Sequence, residues 1–152
     1  MAYTQVFACT LLEGLTGVTV IATTNSTAYV NLYYEGQLYA LAYYAMSWPQ
    51  GVALCQSLGR SLVSYTTSTD KENWMKSLAG KWFFIGAKKD PLDPSRFYDI
   101  NTGQTVAIPF EKGVGPVQAN MALIDKEDGT PAYSTGNDWF TWPLATILCT
   151  PK

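Results

Sequence analysis

Residues 47–87 read SWPQGVALCQSLGRSLVSYTTSTDKENWMKSLAGKWFFIGA, and the local signals in this stretch predict two short capped helices followed by a buried strand. Ser47 and Gln50 form a capping-box pattern: the serine oxygen accepts a first-turn N–H while the glutamine reaches back to the cap, and Pro49 sits where a missing N–H is harmless. Val52, Cys55 and Leu58 then share one apolar face, and Gly59 supplies the left-handed stop. Thr69 and Glu72 repeat the capping box, with Asp70 placing negative charge at the positive end of the next helix. Trp74, Met75 and Leu78 make its inward stripe before Gly80. The run Trp82, Phe83, Phe84, Ile85 lies between Gly80 and Gly86, too short for a helix, and reads as a strand buried on both faces.

The order of these features resembles a C-type lectin-like domain. The resemblance is carried by the first helix with its cysteine (ALCQSLG), the segment Leu62–Ser64, the second helix ending WMKSL, and FIGA at Phe84–Ala87, where the family usually has WIGL. It continues through the aromatic strand and turn FYDINTGQTV at Phe97–Val106 to LATILC at Leu144–Cys149, and so spans roughly Leu38 to Lys152. The fold class it implies is α+β, two helices with antiparallel sheets and a long loop region. An N-terminal β-strand extension (1–36) precedes the lectin-like domain (37–152).

Composition bounds that reading. A chain of 152 residues with 47% hydrophobic content and a net charge of −2 buries one domain's core and has no basic surface to neutralise phosphates, so no nucleic-acid partner is expected. Histidine is absent, which removes Ser-His-Asp and Cys-His catalysis together with most zinc sites. No nucleophile with an adjacent base can be assembled from what remains, and an enzyme is not expected.

The first 44 residues read as successive strands. Thr4–Leu12, Val18–Thr24 and Ala28–Tyr34 are rich in Val, Thr, Ile and Tyr, as pleated half-buried strands are. A three-residue turn, Glu35-Gly36-Gln37, is expected to join the last of them to Leu38–Tyr44 as a hairpin. The extra strands are read either as sheet covering the core or as an edge that recruits a second subunit, giving a homo-oligomer. No basic segment opens the chain, and Glu13 with two glycines interrupts its apolar run, so neither a signal peptide nor a membrane span is read there. The family's usual setting and the sequon at Asn25-Ser26-Thr27 lead to the expectation of a secreted protein whose signal has been removed.

The resemblance implies that Cys55 and Cys149 are joined, tying the first helix to the last strand. Cys9 then has no partner within the chain; it is a small buried hydrophobe beside Phe7 and Leu11, or an intermolecular bridge. The family's second bridge is missing, with Met121 and the neighbourhood of Thr141 at its two ends. The long loop, roughly Pro109–Asn120, is therefore expected to be held by packing alone and to be more mobile or remodelled than is usual.

In the calcium-dependent lectins of the family, a Glu-Pro-Asn or Gln-Pro-Asp triplet in that loop, a nearby glutamate and a Trp-Asn-Asp triplet hold the ion that binds sugar hydroxyls. The matching positions here read Gly115-Pro116-Val117, Ala119, and Gly136 followed by Asn137 and Asp138. One amide and one carboxylate remain of a set that must supply several charged oxygens, so no cofactor is expected and Asn137 and Asp138 are only residual calcium candidates. The plainer reading makes them a turn before the last strand. DKEDG at 125–129 reads as a solvated hairpin turn rather than a metal loop, and Lys88, Lys89, Asp90 and Asp93 with Pro91 and Pro94 as a polar surface loop. Gln118, Asn120, Asn137, Asp138 and Trp139 are the candidate ligand-binding residues. Trp139 and Trp142 offer a stacking face, with core burial expected for one of them. The expected function is a calcium-independent recognition module for a protein or a self-partner. Its alternatives are a carbohydrate-binding lectin and a structural, coat-like or ice-binding component.

Overall fold

The computed structural model describes residues 19–22, 28–112 and 119–152. The strand expected at Thr4–Leu12, Cys9, the Asn25 sequon, Gly115-Pro116-Val117 and Gln118 lie outside the described residues. Those described form β1 (Thr19–Ala22), β2 (Ala28–Tyr34), β3 (Gln37–Met46), α1 (Trp48–Ser57), α2 (Thr69–Leu78), β4 (Trp82–Asp90), β5 (Asp93–Asp99), β6 (Thr105–Val106), β7 (Met121–Asp125), β8 (Ala132–Gly136) and β9 (Trp142–Cys149).

One sheet runs β1-β2-β3-β9-β4-β5-β6, and β7 branches from β4 to carry β8. All pairings are antiparallel except β4 with β9, where Trp82 and Phe83 lie beside Ala145 and Thr146. The centre of this sheet is covered on both faces. Leu41, Tyr43, Phe83, Ile85 and Leu148 pack in one core with Met75 and Leu78 of α2. Their strand neighbours Ala42, Tyr44, Phe84 and Ile147 pack in the other with Trp48, Leu54 and Cys55 of α1. Alternation along a strand sends successive side chains to opposite faces, so the uninterrupted apolar run of β4 is what a strand between two helices requires.

The helices are set by their ends. Ser47 accepts from the Gln50 N–H and the Gln50 side chain accepts from the Ser47 N–H, as the sequence predicts. The Trp48 indole donates to the Ile85 carbonyl at 2.9 Å, pinning the start of α1 to β4. Its buried face comprises Trp48, Gly51, Leu54 and Cys55, with Val52 and Leu58 only half-buried, because the helix lies against Phe84 and Ile147 along that line. In α2 the expected cap is displaced by one residue: Ser68, not Thr69, accepts from the Lys71 N–H. Glu72 instead pairs with Lys76 at 2.8 Å one turn on. Two adjacent hydroxyl residues both offer the cap chemistry, and the helix begins after Ser68 with Met75 and Leu78 buried.

Other local expectations are met with adjustments. The β2–β3 turn contains two residues, Glu35 and Gly36, both at positive φ (50° and 76°), while Gln37 already pairs with Tyr34. This is the hairpin turn whose twist matches its strands. Gly86 has no room for a side chain: a Cβ there would lie 2.9 Å from the Leu62 carbonyl, and its N–H donates to Val63 at 2.8 Å. Cys55 and Cys149 are joined, fastening α1 to β9. Met121 is fully buried in the α1-side core while Thr141 is exposed. Residues 88–93 belong to the β4–β5 hairpin rather than to a loop. This difference positions the site.

Candidate functional site

Three pieces of backbone meet where the resemblance points. Lys88 is on β4; Asn120 is held between strands, because Lys89 donates to its carbonyl at 2.9 Å and its own N–H donates to Gly136 at 2.8 Å. The third piece is the expected turn between β8 and β9, where Phe140 N–H closes on Asn137 at 3.3 Å. Asp138 and Asn120 are bonded reciprocally: the Asn120 amide donates to Asp138 Oδ1 and the Asp138 N–H donates to Asn120 Oδ1, both at 2.9 Å. Lys88 Nζ lies 3.1 Å from the other carboxylate oxygen, Oδ2, and 5.8 Å from the Trp48 ring centroid. Partial burial pushes the Asp138 carboxyl up, but the Asn120 amide and the Lys88 ammonium outweigh it and hold the group below the usual carboxylate range.

Both oxygens of this carboxylate are therefore committed within the protein, one of them to a cation. The resemblance assigns Asp138 to a calcium set, and among the described residues the donor set around it does not fit that ion. Calcium takes six to eight oxygens, several of them charged, whereas Asp138 already faces an ammonium and Ala119, at the position of the family's glutamate, is buried and apolar. Among the described residues no group of three or more His, Cys, Asp or Glu side chains converges.

Beside this tie the turn presents aromatic surface. Trp139 is 67% exposed and Phe140 42%, while Trp142 is half-buried, 5.2 Å from Trp82 and meeting Phe140 edge-on at 4.9 Å. A Cβ on Gly136 would lie 2.5 Å from Trp142 Cζ2. The indole edge thus lies against Gly136, the position of the family's tryptophan; Trp142 is the more buried of the two, but half-buried at the edge of the core and not within it, so the core burial expected for one of them is not found. The Asn137 amide oxygen and the Trp142 indole nitrogen are buried and find no hydrogen-bond partner among the described residues.

Solved structures share this architecture. A Ca2+-dependent type II antifreeze protein in its Ca2+-free form matches with a TM-score of 0.61 at 12% identity, over 80% of this chain and 97% of that one. The C-type carbohydrate-recognition domain of cow CD23, solved with a GlcNAc2Man3 oligosaccharide, matches at 0.60 and 18% identity over 78% and 90%. The C-type lectin domain of murine dendritic cell inhibitory receptor 2, in complex with N-glycan, gives 0.56 and 14% over 72% and 91%. The chain has the C-type lectin-like fold. No family model and no curated protein sequence matches it, so the likeness is one of architecture.

Of the candidate residues on this lectin-like fold, Asn120, Asn137, Asp138 and Trp139 fall at one locality, although Asn120 and Asp138 are spent on each other. Lys88 was missed. Its only sequence signal was that β4 continues beyond Ala87, which the charged pair Lys88-Lys89 conceals.

Proposed function

We propose that the chain is a non-enzymatic recognition module that works without calcium and binds a protein, either a different partner or a second copy of itself. The observation that carries this reading is the Lys88–Asp138–Asn120 tie, in which an internal ammonium meets the carboxylate. Exposed Trp139 at 67% and Leu92 at 93% support a protein partner, since large rigid apolar side chains anchor interfaces. An extracellular setting is supported by the Cys55–Cys149 disulfide, which persists in oxidising compartments. No described helix is long and apolar enough to cross a membrane.

A thermal melt in millimolar calcium and again in chelator tests the reading. A site filled at ten times its Kd adds about 1.4 kcal/mol to folding stability, a rise of about 3–6 °C for a domain of this size. Superimposable curves are expected, and a rise of that size in calcium overturns the calcium-free reading. The second reading, glycan binding, is favoured by the aromatic turn at Trp139 and Phe140. Retention on a sugar resin released by free sugar would establish it in place of the first.

A further inference from the structure

The aromatic turn borders a groove of about 520 Å³ between β7, β8 and the start of β9. Phe140, Trp142 and Pro143 form its apolar side. Asp125 and Glu127, at the β7–β8 turn, bring two carboxylates to it, and Asn137 is part of its wall. The two carboxylates give the groove negative charge, beside the polar side chains of Thr135 and Asn137.

Among the described residues no lysine or arginine forms an ion pair with either carboxylate; Lys112, which lies at the same turn, is paired with Asp128. All ten lysines and arginines lie among the described residues. Lys76, Lys88, Arg96 and Lys112 pair with Glu72, Asp138, Asp93 and Asp128. Lys126, although between the two groove carboxylates in sequence, turns away to the Ala79 carbonyl at 3.5 Å. Lys81 sits over the Trp82 ring, 5.8 Å from its centroid, leaving Phe140 and Trp142 as the groove's open rings. Neither Asp125 nor Glu127 forms an ion pair among the described residues.

We propose that this groove receives a basic side chain, an arginine or lysine of a partner protein, with its aliphatic stem on Phe140 and Trp142 and its charge between Asp125 and Glu127. The inference rests on the functional reading above and names its partner's chemistry. Aromatic faces attract cations through the ring quadrupole, and a planar guanidinium matches carboxylates through its fork of donors while its weak hydration suits a half-buried site. A neutral sugar would also stack here, but it would leave both carboxylates uncompensated.

The test uses the full chain, a Gly-Arg-Gly-Arg-Gly peptide, the same peptide with citrulline for arginine, and maltotriose. The indole N–H resonances of the five tryptophans are followed in a nitrogen-15 spectrum, with Trp142 assigned by Trp142→Phe. The arginine peptide is expected to shift Trp142 at millimolar concentration while the citrulline peptide does not. Its affinity should fall about fivefold in the Asp125→Asn, Glu127→Gln pair, a change that preserves the acceptor Asp125 offers to the Glu127 N–H. A still Trp142 resonance, equal binding of the citrulline peptide, or affinity unchanged in the charge pair overturns the inference. A shift produced by maltotriose alone also overturns it and assigns the groove to glycan. Failure is distinguishable from failure of the functional reading: a calcium-sensitive melt with the arginine peptide still on Trp142 defeats the latter alone.

Discussion

Replacing the bridge between α1 and β9 by Cys55→Ala with Cys149→Ala isolates the effect of a covalent tie across most of the described chain. The joined residues are 94 apart in sequence, and closing a loop of that length removes roughly 16 cal/mol/K of chain entropy from the unfolded state, about 4.7 kcal/mol at 25 °C. Native contacts at the bridge survive without it, since Val63 N–H donates to Leu148 at 2.9 Å and Thr150 N–H to Ser61 at 2.7 Å. The loss should therefore arise in the unfolded ensemble. For a chain of this size it lowers the melting temperature by about 9–19 °C and raises the denaturant m-value, because the freed chain exposes more surface. Far-UV circular dichroism followed through heat and guanidinium unfolding measures both. A stability loss below about 1 kcal/mol with an unchanged m-value would refute the reasoning.

Asp138→Asn should lower stability at neutral pH by about 1 kcal/mol, the modest scale of a pair in which Lys88 is 35% exposed and solvent screens the charge. Because the folded carboxyl is held below its ordinary value, its contribution is present above the unfolded pKa of about 3.9 and fades as pH falls through the folded value. Parent and variant melts should thus converge near pH 2, and a gap that persists there would contradict this assignment. Gly136→Ala puts a Cβ 2.5 Å from Trp142 Cζ2 and 3.1 Å from Leu123 Cδ2. An overpacking cost of about 1–3 kcal/mol should accompany an altered near-UV tryptophan spectrum, and a parental melt and spectrum would show that the indole does not depend on that glycine.

What was legible in the sequence was local. The cap at Ser47 and Gln50 needs only neighbouring residues. The strand at Trp82–Ile85 was visible because a run without polar alternation has no solvent face to offer. The errors at element ends were small, the cap of α2 falling on Ser68 instead of Thr69 and a turn being read one residue too long, but reading 88–93 as a loop hid the β4–β5 hairpin that positions the site. The Cys55–Cys149 pairing was legible only through resemblance, since nothing near either cysteine specifies the other.

The site was less legible because its deciding contacts are distant in sequence. Asn120, Asn137, Asp138 and Trp139 were found by their order in the chain, but their roles were not. Lys88 meets Asp138 only because β4 runs on past Ala87 and the segment at Asn120 is hydrogen-bonded between it and β8. Asp125 and Glu127 do form the solvated β7–β8 hairpin turn that the sequence predicts, and it is β9 that brings Trp142 to the groove they line. The sequence by itself determined helices, turns and two-sided burial, since caps and hydrophobic periodicity act over a few residues. Tertiary structure alone decided which carboxylate is neutralised and which stays open to a partner, because charge pairing depends on separations that strand register sets.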